Sequence, residues 1–188
     1  MLMVVIWGLV VLFPVSEIVL SIVKRSKSKP AGDQDQGTLW QVWFAVAGGV
    51  VAALIGQRVR ATHLNVRYPL LELLALVLMV AGLSFRWWSV VVLGRYFTTD
   101  VSVQAQQPVI RTGPYRLVRH PAYAGALLAF AGLGVLMHNW FSLAVLLIPV
   151  TAAMVSRILV EERALLATIG KPYAEYCRQT KRLIPGLF

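Results

Sequence analysis

The chain has 188 residues, enough for one domain of ordinary size, but 58% are hydrophobic and only 14% charged, where soluble globular domains carry ~25% charge. A single cysteine excludes an internal disulfide, and three scattered histidines (His63, His120, His138) offer no zinc-type spacing, so no metal ligand set is expected. The net charge of +10 raises nucleic acid as a partner, and charge placement then decides against it.

A bilayer core of ~30 Å needs roughly 20 apolar residues in a helix. Residues 2–23, 39–57, 68–93, 122–137 and 141–160 meet or approach that length, the fourth being the shortest. The sequence therefore predicts an all-α integral membrane protein with about five transmembrane helices. The first run is followed, not preceded, by Lys24, Arg25, Lys27 and Lys29, so it reads as a retained anchor and not a signal peptide. Residues 24–38, rich in Ser, Gly, Gln and charge, read as a flexible linker. Residues 1–93 form an N-terminal half of three spans. Residues 94–188 form the second half: a loop at 94–121, a helical hairpin at 122–160 and an amphipathic tail at 161–188. In that tail Leu165, Leu166, Ile169, Tyr173 and Tyr176 recur near helical spacing. Gly170 suits the end of one helix and Pro172 the first turn of the next.

With five spans, thirteen Lys/Arg fall on one side. They lie in the 24–38 linker, in the 94–121 loop (Arg95, Arg111, Arg116, Arg119) and in the tail (Arg163, Lys171, Arg178, Lys181, Arg182). Only Arg58, Arg60 and Arg67 fall on the other, and Arg86 and Arg157, near span ends, read as snorkelling. The positive-inside rule then places the C-terminus in the cytoplasm. The basic excess is topology plus attraction to anionic lipid, not a nucleic-acid footprint.

The fourth and fifth spans are joined by only His138-Asn139-Trp140, so they must pair antiparallel. A hairpin brings its open ends together, which makes Arg119, His120, Glu161 and Glu162 neighbours at one membrane surface. Glu17 and Glu72 lie inside spans, where an ionisable group is expensive and marks a candidate site or a polar pair. His63 reads as solvated, Trp87 and Trp88 as belt or packing residues, and Tyr115 and Tyr123 are open to the same belt reading.

Specific strings sharpen this. Leu93-Gly94-Arg95-Tyr96-Phe97-Thr98, Val109-Ile110-Arg111-Thr112-Gly113-Pro114-Tyr115-Arg116 and Arg119-His120-Pro121-Ala122-Tyr123-Ala124-Gly125 occur in order. Glu161-Glu162-Arg163-Ala164-Leu165 and Gly170-Lys171-Pro172-Tyr173-Ala174-Glu175-Tyr176 follow. Together they resemble the isoprenylcysteine carboxyl methyltransferase family and its relatives, the phospholipid N-methyltransferases, over about half the chain. The resemblance implies a membrane-embedded enzyme using S-adenosylmethionine on a lipid-like or prenylated acid arriving from the bilayer. It implies that His120, Pro121, Tyr123, Gly125, Glu161 and Glu162 help bind the cofactor, with Val109 and Tyr115 lining its pocket. Arg119 would lie nearest the reacting group, with Glu162 beside it in the catalytic set. The absence of a G-x-G-x-x-G motif agrees with the family.

Three other readings stand beside it: a lipid amine N-methyltransferase, a non-catalytic membrane protein such as a transporter subunit, and a membrane reductase using a nicotinamide cofactor. Paired repeats and midplane polar groups, which a transporter would show, are missing from the sequence pattern. The compact chain and short loops point to a multi-pass protein of a prokaryotic inner membrane.

Overall fold

The computed structural model describes residues 2–23, 37–66, 68–99, 101, 103 and 107–188. The expected linker falls outside these up to residue 36, and Thr38 already belongs to a helix. Six α-helices follow in order: α1 (Leu2–Val23), α2 (Thr38–Gly56), α3 (Tyr68–Leu93), α4 (Pro121–Leu136), α5 (Trp140–Ile169) and α6 (Lys171–Gln179). Among the described residues the only β-type pairing is two isolated bridges, His63 with Asn139 and Val118 with Lys181. By length and composition α1, α2, α3 and α5 can each cross a membrane, while α4 is a shorter apolar helix of 16 residues. The chain is an all-α, multi-pass membrane protein.

Small residues set how the helices meet. A Cβ on Gly82 of α3 would lie 2.5 Å from the Ala129 nitrogen, and one on Gly125 of α4 would lie 2.6 Å from the Gly82 carbonyl oxygen. These backbones touch because side chains are missing, the device that lets helices approach closely in lipid. On the other flank Ser142 Oγ of α5 donates to the Ala53 carbonyl of α2 at 2.7 Å. Between these pairs lies an apolar core including Phe13, Ala126, Phe130, Leu146 and Met154, with Phe13 and Phe130 edge-to-face at 4.9 Å.

The turn at His138-Asn139-Trp140 is bonded in detail. Asn139 is fully buried. It caps α5 by accepting from the Ser142 amide at 3.0 Å, and its Nδ2 donates to the Val59 carbonyl at 3.1 Å. Past this cap α5 runs for 30 residues, well beyond the expected end of the span at 160. Glu161, Glu162 and Arg163 end the apolar run but favour helix, so the helix leaves the lipid-compatible stretch without breaking. Gly170, at φ 70°, ends it, and Pro172 sits in the first turn of α6, both as expected.

Candidate functional site

The open ends of the α4–α5 hairpin carry the densest polar cluster. Pro121 opens α4 and is buried; a proline there costs no helix hydrogen bond and fixes where the helix begins. It thereby sets His120 and Arg119 just before the first turn. Across the hairpin, α5 delivers Glu161 and Glu162 one residue apart, so they leave the helix in different directions.

Glu162 is buried and multiply bonded. Its Oε1 accepts from Arg119 Nε at 2.5 Å and meets His120 Nε2 at 3.1 Å. Its Oε2 accepts from Arg182 Nε at 3.0 Å and Nη2 at 2.9 Å. Arg119 Nη1 also donates to the Thr180 carbonyl. The backbone reinforces this clasp, because the amides of Arg119 and His120 donate to the carbonyls of Lys181 and Arg182 at 2.9 and 3.0 Å. The segment after α6 is thus tied across the mouth of the hairpin.

Glu161 points elsewhere. Tyr123 of α4 donates to its Oε2 at 3.0 Å, and the same hydroxyl accepts from Arg157 Nε at 3.0 Å. Arg157 further donates to Thr38 Oγ1 at 3.0 Å and to the Thr99 carbonyl at 2.5 Å. It therefore joins α2, α4, α5 and the 94–120 loop. The snorkelling expected of Arg157 and Arg86 does not occur: both are buried. Arg86 pairs with Glu17 through Nε and Nη2 and donates to the Ala122 carbonyl at 3.0 Å. Each guanidinium faces inward because a polar partner waits there, which span position alone does not reveal.

A cavity of about 870 Å³ opens beside the cluster, within the size of small-molecule sites. Its polar end is walled by Val109, Tyr115, Arg119, His120, Tyr123 and Glu161. Arg157, Tyr173 and Tyr176 complete that end, and the cavity runs on past Met79, Phe130 and Met154 among the helices. Tyr115 and Tyr123 are therefore wall residues, not belt aromatics. Burial raises the phenols of Tyr115, Tyr173 and Tyr176, the last to about 12, so all three stay protonated donors at neutral pH. Tyr176 donates to the Tyr115 carbonyl at 2.7 Å and Tyr115 weakly to the Ser89 carbonyl at 3.4 Å. Among the described residues the buried Tyr173 hydroxyl has no hydrogen-bond partner of normal geometry.

Three expected site residues, Pro121, Gly125 and Glu162, stand apart from this wall. Gly125 packs on Gly82 and Arg86 of α3, where a Cβ would meet backbone at 2.6 Å. Glu162 lies behind Arg119 and His120 and does not line the cavity. Arg157, Tyr173, Tyr176 and Arg182 are not among the site residues expected from sequence. For the two tyrosines the helical spacing in the tail was the available signal; for Arg157 it was the i, i+4 step to Glu161. Glu72 is half-buried beside His138, whose imidazole is lowered by burial and raised less by Glu72. His63 is exposed and meets the Gln57 carbonyl at 2.9 Å.

A model of the isoprenylcysteine carboxyl methyltransferase family matches residues 74–167, a stretch that holds Arg119, His120, Tyr123 and the glutamate pair. The chain belongs to this family. It is 31% identical over 120 residues to a probable protein-S-isoprenylcysteine O-methyltransferase of Oryza sativa subsp. indica, covering 63% of each chain. It is 25% identical over 135 residues to protein-S-isoprenylcysteine O-methyltransferase B of Arabidopsis thaliana, covering 61% of this chain and 68% of the relative. It is also 31% identical over 146 residues to the cobalt-zinc-cadmium resistance protein CzcN of Cupriavidus metallidurans, covering 78% of this chain and 63% of that one. The family match begins within α3 and stops within α5, so α1, α2, α6 and the closing segment lie outside it.

Proposed function

We propose that this protein is a membrane-embedded, S-adenosylmethionine-dependent carboxyl O-methyltransferase acting on a lipid-like acid. The observation that carries the reading is the cavity itself: family-matched polar groups wall one end, and the same space continues among apolar helices. A polar donor molecule and an apolar acceptor tail can therefore meet in one compartment.

The residues fit a cationic methyl donor. Glu161 offers a carboxylate at the wall, tyrosine faces surround it, and the Tyr173 hydroxyl lacks a good partner among the described residues. Val109, Tyr115, His120, Tyr123 and Glu161 would hold the donor; Pro121 and Glu162 support them from behind. When bound, S-adenosylmethionine supplies an electrophilic methyl group on a positively charged sulfur.

What the chain must then do follows from the nucleophile. A terminal carboxylate has a pKa near ~3.5 and is ionised at neutral pH, so no general base is required. It needs alignment and the removal of water. Arg119 is suited to the first task. Glu162 and the Thr180 carbonyl hold its Nε and Nη1, and among the described residues its Nη2 has no hydrogen-bond partner. The guanidinium is fixed, and Nη2 remains for the acceptor carboxylate. The apolar stretch past Met79, Phe130 and Met154 serves the second task.

Amine methylation is the weaker reading, because an ammonium must first lose a proton. The candidate bases are engaged: His120 Nε2 faces Glu162, and Glu161 accepts from Tyr123. The acceptor class is kept wider than prenylated protein, since the chain spans 63% of the rice relative and an equally identical relative bears a metal-resistance name.

Calorimetry on detergent-purified protein with S-adenosylmethionine and with NADPH tests the reading, followed by methyl transfer to prenylcysteine analogues. Binding of the first alone, with ester formed, supports it; binding of NADPH alone sinks it. We further propose a cytoplasmic C-terminus, from the charge asymmetry, and a prokaryotic inner membrane, from the compact chain and short loops. Reporter fusions after Phe188 and within residues 58–66 should report opposite sides, and the same side for both would refute the orientation.

A further inference from the structure

A second, smaller cavity of about 220 Å³ lies on the other side of Arg119. Four cations wall it: Arg119, Arg178, Lys181 and Arg182, with Leu187 and Phe188. Glu162 occupies Arg119 and Arg182 from one side, whereas among the described residues Arg178 and Lys181 have no acidic partner. The arrangement is built, not incidental. The carbonyls of Lys181 and Arg182 are used by the amides before α4, so the backbone is pinned, and Glu162 holds the Arg182 guanidinium at the pocket wall. Arg182 also lies over the Phe188 ring at 5.3 Å.

Glu162 offsets two of these four cations, and the remaining like charges of Arg178 and Lys181 repel unless a second anion sits among them. Arginine and lysine together supply the forked and point-like donors that phosphate oxygens accept. Beside the pocket Ile184 and Leu187 are 52% and 75% exposed, an apolar shoulder next to the start of a membrane helix. We propose that this pocket binds a phosphate group, carried by the headgroup of an anionic phospholipid whose glycerol and upper acyl chains lie along Ile184 and Leu187. Arg119 is shared with the larger cavity, so the lipid would touch the same guanidinium that faces the acceptor. The site does not depend on the methyltransferase reading, since its binding is measured without turnover.

The test uses the full chain in nanodiscs of phosphatidylcholine with a minor share of phosphatidylglycerol. Phosphatidylglycerol retained through native mass spectrometry and the thermal midpoint are the two readouts. The variant is Arg178→Gln with Lys181→Gln, and the control is Arg58→Gln with Arg60→Gln, which removes equal charge at the far loop. Retention and a raised midpoint are expected in the parent and control, with at least tenfold weaker retention in the variant. Equal retention by parent and variant overturns the site. Stabilisation of detergent-solubilised protein by inorganic phosphate, lost in the variant and without lipid retention, supports the phosphate site and assigns it to a soluble source. No response to either probe overturns it.

Discussion

Among the described residues two carboxylates are gripped by arginine, and their neighbourhoods differ in how much structure they hold. Glu162 is 8% exposed at its side chain and gathers Arg119, His120 and Arg182 from two separate segments. Glu17 is 21% exposed and takes Arg86 alone. Around Glu162 the backbone is also knitted, amide to carbonyl, across sixty residues of sequence. Around Glu17 the helix turns Val11, Ile18 and Ile22 outward and touches the rest of the protein along a narrow strip. One carboxylate closes a site, the other moors a helix. Charge pairing alone does not define a functional residue; what the pair holds in place does.

The largest effect should come from Glu162→Ala. It leaves three cationic or polar groups buried around an empty space, and breaking a buried pair costs about 3–5 kcal/mol. Denaturant unfolding in detergent measures that loss, and donor affinity should fall with it. A variant as stable as the parent would reduce the clasp to surface charge.

Next is Arg119→Lys, which keeps the charge but cannot reach Glu162, Thr180 and an acceptor at once. Methyl transfer should drop at least tenfold, about 1.4 kcal/mol of barrier, while calorimetry finds most donor affinity intact. If donor binding disappears with activity, Arg119 belongs to the donor instead.

Glu161→Gln should show the reverse separation from Glu162. Losing a charge-assisted hydrogen bond to the donor is worth roughly 1.5–3 kcal/mol, tenfold or more in affinity. The thermal midpoint should stay near the parent value, because Tyr123 can still donate to the amide oxygen. A fall in stability as large as that of Glu162→Ala would erase the difference between the two neighbours.

The smallest effect should be Glu17→Gln, at about 1 kcal/mol, since the amide still accepts from Arg86 and the site is partly open. Combining it with Arg86→Met should recover stability relative to Glu17→Gln alone if the moored pair is an isolated unit. Loss of donor binding in Glu17→Gln would tie this helix to the site and dissolve the contrast.

How much of this was legible beforehand varies with the kind of signal. The bounds of α1 and α3 follow from apolar runs that stop abruptly, and the meeting of Arg119, His120, Glu161 and Glu162 follows from a three-residue turn. The length of α5 does not, because glutamates that end an apolar run are good helix formers, so the end of a span need not be the end of a helix. Arg182 was hidden because its partner is set by pairing of 180–182 with 118–120, a contact between distant segments without a local pattern. Arg86 and Arg157 were misread because position near a span end says nothing about which way the side chain faces. Gly125 sits in the motif string, yet only the proximity of Gly82 reveals that its missing side chain is used for packing.

The shortness of α4 also sets a depth. Sixteen residues at ~1.5 Å rise span ~24 Å, short of a ~30 Å hydrocarbon core. With the bonded turn at His138-Asn139-Trp140 set at one lipid boundary, the opposite end of α4 would stop short of the other, whereas the 30 residues of α5 reach past it. In that placement His120 and Tyr123, which line the large cavity, would lie below the level reached by α5 and α6. Water reaching them would pass between tyrosines and the strapped tail, and an acyl chain could arrive sideways at the same level without leaving the oil. On the proposed reading, a helix shorter than the hydrocarbon core would let an acidic head and its apolar tail reach the same point from different solvents.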